Sequence, residues 1–145
     1  MQEWLQGYLA GKIPPGEVAI LYDIGDEFSG ETHVQLSGDG AYALWSTATA
    51  GRARRDFSGR VNRDAVRAVG QALVDAQVWE VRHVRRIPGE DDPEAVIAVQ
   101  RGAAREAVVL WVSEIDQQPA FARAQAAILQ LVRGVSAGEV LEAGR

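Results

Sequence analysis

"THVQLSGDGAYALWSTAT", residues 32–49, decides the fold. Val34 and Leu36 alternate with His33 and Gln35, the period-two pattern of a half-buried strand with His33 and Gln35 outward. Ser37-Gly38-Asp39-Gly40 then supplies hairpin-turn chemistry, because glycine accepts the positive φ that such turns require. The chain returns as a second strand over 41–49, and a tight hairpin joins antiparallel strands. The sheet is therefore antiparallel where it starts.

Upstream, EVAILYDI (17–24) reads as a strand with Val18, Ile20 and Tyr22 on one face and Ala19 and Leu21 on the other. Both faces are apolar enough for a central strand. GDEFSGE (25–31) is turn-like. Trp4, Leu5, Tyr8 and Leu9 fall at helical spacing, and Ile13-Pro14-Pro15-Gly16 ends that helix. Downstream, Ala50-Gly51 turns the chain and RARRDFSG forms a further strand anchored in the core by Phe57.

Asn62 caps a helix over 63–78 with the apolar stripe Val66, Val69, Leu73 and Ala76. Gly70 inside it costs about 1 kcal/mol against alanine, which marks a close backbone contact. Trp79 and Val81 follow as a short extended piece, then IPGEDDPE (87–94) as an acidic loop. AVIAVQ (95–100) and AVVLWVS (107–113) flank Arg101-Gly102 as a second hairpin. Asp116 is placed to cap a last helix with Pro119 in its first turn. Phe121, Ala124, Ile128, Leu131 and Val132 share a face of that helix, and Gly134 is its expected stop.

The expected architecture is α+β: a two-layer sandwich with an antiparallel sheet of five or six strands, two long helices on one face and a short N-terminal helix. Residues 1–135 form a single domain, and 136–145 are expected to fray. The expected core draws on Val34, Leu36, Trp45, Leu73, Val99, Trp111 and Ile128.

Bulk composition narrows the function. A chain of 145 residues with 47% apolar and 24% charged content is one ordinary globular domain. It has no cysteine, so disulfides and thiolate metal sites are excluded, which fits a reducing, cytoplasmic setting. The start MQEWLQGYLAGK lacks the features of a secretory signal, and no apolar run reaches the roughly 18 residues of a membrane helix. Fourteen of the fifteen basic residues are arginine, a bias that points to GC-rich bacterial coding rather than to a demand for guanidinium.

Charge is segregated. Residues 1–45 carry one base and seven acids, a balance of −6; residues 52–86 carry nine arginines and four acids, +5; residues 87–145 carry five arginines and nine acids, −4. The stretch GRARRDFSGR (51–60) concentrates the positive charge. A pI near 5.0 and a lone interleaved aromatic argue against nucleic acid. The stretch reads first as a solvated or internally paired face, with the acidic loops around Asp26 and Asp91 as counter-charges, and otherwise as a surface for a protein partner.

No catalytic constellation stands out. His33 and His83 are isolated, with no metal-ligand spacing, and GEDDPE does not match a calcium loop. Ser29 and Ser58 each sit in "FSG", read as a core phenylalanine followed by a turn, without the GxSxG elbow. No cofactor or metal is called for. Arg52, Arg54, Arg55, Asp26, Glu27, Asp91 and Asp92 are the candidate partner-binding residues.

DEFSG (26–30), VRAVGQALVDAQVW (66–79), PGEDDPEAVIAV (88–99) and QPAFARAQAAIL (118–129) together resemble the emfourin-type inhibitors of thermolysin-like proteases over residues 18–133. The resemblance implies an inhibitor rather than an enzyme and transfers no individual site residue. The leading expectation is thus a non-enzymatic interaction domain, an inhibitor, immunity-type or adaptor protein, steered by charge. The alternative is a small enzyme or ligand-binding domain with a site near Tyr22, Asp23, His33 and Trp45. The sequence leaves partner identity and oligomeric state open.

Overall fold

A computed structural model describes residues 1–48, 53–82 and 92–140. Helix α1 (Gln2–Leu9) leads through a 3-10 turn at Pro15–Glu17 into strands β1 (Val18–Asp26), β2 (Gly30–Ser37), β3 (Ala41–Ser46) and β4 (Arg55–Arg60). Helix α2 (Arg63–Asp75) follows, then β5 (Glu94–Arg101), β6 (Ala104–Trp111) and helix α3 (Pro119–Val135). The strands form one open, fully antiparallel sheet in the order β4-β3-β2-β1-β5-β6. The central place expected for β1 holds: it pairs with β2 on one side and β5 on the other.

Strand parity assigns the two faces. Leu44, Val34, Tyr22, Ile97 and Val108 lie in one transverse row across five strands, and all five are buried. They share a core with Leu5 and Tyr8 of α1, Val66, Val69 and Leu73 of α2, and Phe121, Ile128 and Val132 of α3. α2 packs against both other helices. Asn62 caps α2 as expected, its side-chain oxygen accepting from the Asp64 amide at 2.9 Å. Inside the core, the Gln125 amide donates to the Tyr22 hydroxyl at 2.9 Å, so neither polar group is buried without a partner.

Five of the seven expected core residues are buried: Val34, Leu36, Leu73, Val99 and Ile128. Trp45 and Trp111 are not. Each follows a leucine, Leu44 or Leu110, that is itself buried. Adjacent strand residues face opposite ways, so only one of each pair enters the core. Phe57 is half-buried against the core, opposite Leu44. Phe28, expected to anchor, lies in solvent at the β1–β2 tip.

Four boundaries differ from the sequence reading. Val78–Glu80 is a 3-10 turn, not an extended piece. Asp116 lies in a 3-10 turn, Val112–Gln117, and Gln118 is the N-cap of α3. Gly134 is helical; the left-handed stop comes at Ala137 and Gly138, whose amide donates back to the Arg133 carbonyl. Of the tail 136–145 expected to fray, residues 136–140 bury Ser136 and Val140 and pair Glu139 with Arg55, while 141–145 lie outside the described residues.

Gly70 faces α1. A methyl added there would meet Tyr8 at 3.5 Å and Leu9 at 3.6 Å, ordinary contacts. The close approach expected at this glycine is therefore not obligatory. Gly70→Ala should stabilise the protein by about 0.5–1 kcal/mol through helix propensity. Urea unfolding checks this; a loss of stability would mean that α1 cannot shift to accept the methyl.

Candidate functional site

One residue along from the buried row, the same register builds a row on the opposite, outer face. Asp56, Trp45, His33, Asp23, Val96 and Val109 follow one another across all six strands. The His33 and Trp45 rings stack at 4.0 Å between centroids with 20° between planes. The Arg54 guanidinium lies 4.4 Å from the Trp45 ring centroid. Arg54 also grips Asp56 through a forked pair of hydrogen bonds, Nε to Oδ2 at 3.3 Å and Nη2 to Oδ1 at 3.1 Å.

His33 is held by carboxylates. Its Nδ1 is 2.6 Å from Asp23 Oδ1 and its Nε2 is 3.5 Å from Glu31 Oε2. The far oxygen of Asp23 is 3.8 Å from Arg105 on β6. Arginine, indole, imidazole, carboxylate and arginine thus run in series across the sheet. Below them lies a shallow cleft of about 520 Å³, floored by Leu21 and Ala43 and flanked by Gln35, Ser58 and Gln100. Among the described residues, the two ring nitrogens of His33 both face carboxylates. Among the described residues, no group of three His, Asp or Glu side chains is placed to hold a metal ion.

No family model matches the chain, and no curated protein matches it.

Three of the four residues suggested for a ligand site, Asp23, His33 and Trp45, do converge. Tyr22 does not: it points into the core and bonds Gln125. The partner-binding candidates divide further. Arg54 joins the outer face. Arg55 lies on the inner-facing side of edge strand β4, opposite Ser46, and pairs with Glu139. Asp92 accepts from the Ser113 amide at 3.2 Å and from its hydroxyl. Arg52 and Asp91 lie outside the described residues, as does His83. Of the two acidic loops expected as counter-charges, Asp91 lies outside the described residues; among the described arginines of this stretch, Arg54 pairs with Asp56, Arg55 with Glu139 and Arg60 with Asp39 rather than with the Asp26 loop.

Asp26 instead organises the β1–β2 tip. Its Oδ1 accepts from the Ser29 amide at 2.7 Å, the Ser29 hydroxyl at 2.8 Å and the Phe28 amide at 2.9 Å. Those donors, led by the Ser29 amide, hold its carboxyl below the ordinary 3.8. Glu27 is exposed beside it. Asp39 plays the same part at the β2–β3 turn, where the Ala41 amide and then the Ser37 hydroxyl lower its pKa.

The turn signal alone does not fix the outer row. A two-residue turn closed by Ser37 and Gly40 would set His33 opposite Leu44, whereas the ladder is offset by one residue, with Leu36 opposite Tyr42 and His33 opposite Trp45. Cross-strand partners share a face, so an outward His33 requires an outward Trp45. Arg105 carried no such signal, because its approach to Asp23 depends on β5 lying between β1 and β6.

Proposed function

We propose that the chain is a non-enzymatic protein-interaction domain. In this reading α2 and α3 form a second layer over the inner face and leave the outer face of the sheet to a protein partner. The observation that carries it is the Arg54–Trp45–His33–Asp23–Arg105 series, laid across the outer sheet face with its central side chains half-buried and its flanking arginines exposed. Tryptophan and arginine are the residue types that most often dominate binding energy at interfaces. Held by stacking and forked pairing, these side chains lose little freedom on association. An inhibitor role of the kind implied by the emfourin resemblance fits the same surface.

The test compares wild type with Trp45→Ala and Arg54→Ser. Arg54 and Asp56 are both more than half exposed, so Arg54→Ser should cost no more than about 1 kcal/mol of stability. Proteins retained by the immobilised wild-type chain should be lost or weakened with both variants, and inhibition of thermolysin by the purified chain is assayed in parallel. Duplex and single-stranded DNA are the counter-probes. Micromolar DNA binding at about 0.1 M salt, falling steeply as salt rises, would overturn the protein-binding reading.

A ligand-binding site is the second reading, favoured by the convergence of Asp23, His33 and Trp45 on the cleft. It requires small-molecule turnover or a ligand-induced rise in melting temperature that Trp45→Ala abolishes.

A further inference from the structure

Phe28 is the one large apolar side chain left in solvent among the described residues, with 79% of its surface exposed. It sits at the tip of the β1–β2 hairpin, between Glu27 and Ser29. A solvated turn has no use for a phenyl ring, and polar or small residues ordinarily fill such positions.

The tip that carries it is tightly built. Gly25 (φ 99°) and Gly30 (φ 93°) both take conformations that favour glycine. A Cβ at Gly25 would stand 1.9 Å from the Gly30 carbonyl oxygen, so the strands close more tightly than any side chain allows. Asp26 then ties down residues 28 and 29 through three hydrogen bonds to one oxygen. The ring is thus presented on a pre-ordered backbone, and ordering lost before association is not lost again during it. Carboxylates flank it along the chain: Asp26 and Glu27 on the tip, with Glu27 exposed, and Glu31 at the start of the return strand. The tip also adjoins the outer-face series, because Asp23 precedes Asp26 by only three residues on β1.

We infer that the β1–β2 tip is an anchor, with Phe28 entering an apolar pocket rimmed by basic side chains on the protein that docks against the outer face. The inference rests on the protein-binding reading and names the chemistry of the partner. Apolar burial of the ring supplies affinity, and the acidic collar supplies orientation and association rate.

The experiment isolates the protein retained by the wild-type chain, immobilised through Gln130→Cys at an exposed position of α3, and purifies it as the titrant. Calorimetry then compares wild type, Phe28→Ala, Phe28→Leu and Trp45→Ala. Phe28→Ala should weaken binding at least about 30-fold, the scale of an interface hot spot, and Phe28→Leu should restore most of it. Glu27→Lys should slow association, and more so at low salt. Asp26 is left untouched because it builds the turn. Phe28→Ala binding within twofold of wild type overturns the inference, and if Trp45→Ala is weakened in the same titration the outer-face reading stands. Loss with Phe28→Ala but not with Trp45→Ala supports the tip and removes the sheet face. If the wild-type chain retains no protein, both fall.

Discussion

Leu73→Ala should destabilise the protein by about 2–5 kcal/mol, the range for truncating a buried leucine. Leu73 is 0% exposed, on the face of α2 that meets the sheet core. The core cluster that holds it draws on helices and strands together. Urea unfolding measures the loss, with exposed Gln71→Ala on the same helix as the control. A change under about 0.5 kcal/mol, typical of surface positions, would place this face of α2 in solvent. The melting temperature should fall with it, by about 2–4 °C per kcal/mol for a chain of this size.

Gly25→Ala should be the most damaging change at the hairpin tip, costing about 1–3 kcal/mol in backbone strain. Two effects act together. The residue holds φ 99°, and the new methyl would overlap the Gly30 carbonyl at 1.9 Å. Gly102 separates them: it too has positive φ, at 57°, but nothing lies within 4 Å of its absent Cβ. Gly102→Ala should therefore cost less. Equal losses would show that backbone conformation alone matters and that the tip opens freely. Amide exchange at Phe28 and Ser29 gives a local readout, since displacing Gly30 loosens the Asp26 turn that protects them.

Local chemistry made the hairpins and the helix stripes legible. Ser37–Gly40 and Arg101–Gly102 pointed to antiparallel ladders that the structure contains. Asn62 and Pro119 marked the starts of α2 and α3, because capping and the fixed φ of proline act within a single turn. The two-sided apolarity of residues 18–24 placed β1 at the centre of the sheet. Of the outer face, alternation pointed His33 outward, but Trp45 was expected in the core, because the turn residues leave the register open by one position and a slip of one exchanges the faces.

Long-range partners were not legible in the same way. A leucine and a tryptophan side by side, as in Leu44-Trp45 and Leu110-Trp111, compete for one inward position. Hydrophobicity alone does not choose between them; pairing with Val34 and Ala95 does. Arg55 looked like part of an arginine patch, yet its carboxylate is Glu139, 84 positions later. Arg105 meets Asp23 only because β5 and β6 add to the far side of β1. Phe28 and Phe57 stand in the same "FSG" triplet, and one is solvated while the other rests on the core. Periodicity and turn chemistry are properties of neighbours in the chain, so they specify elements and their local register. Which face meets water, and which charges meet each other, depends on strands brought together from distant positions, and that assembly exists only in the folded sheet.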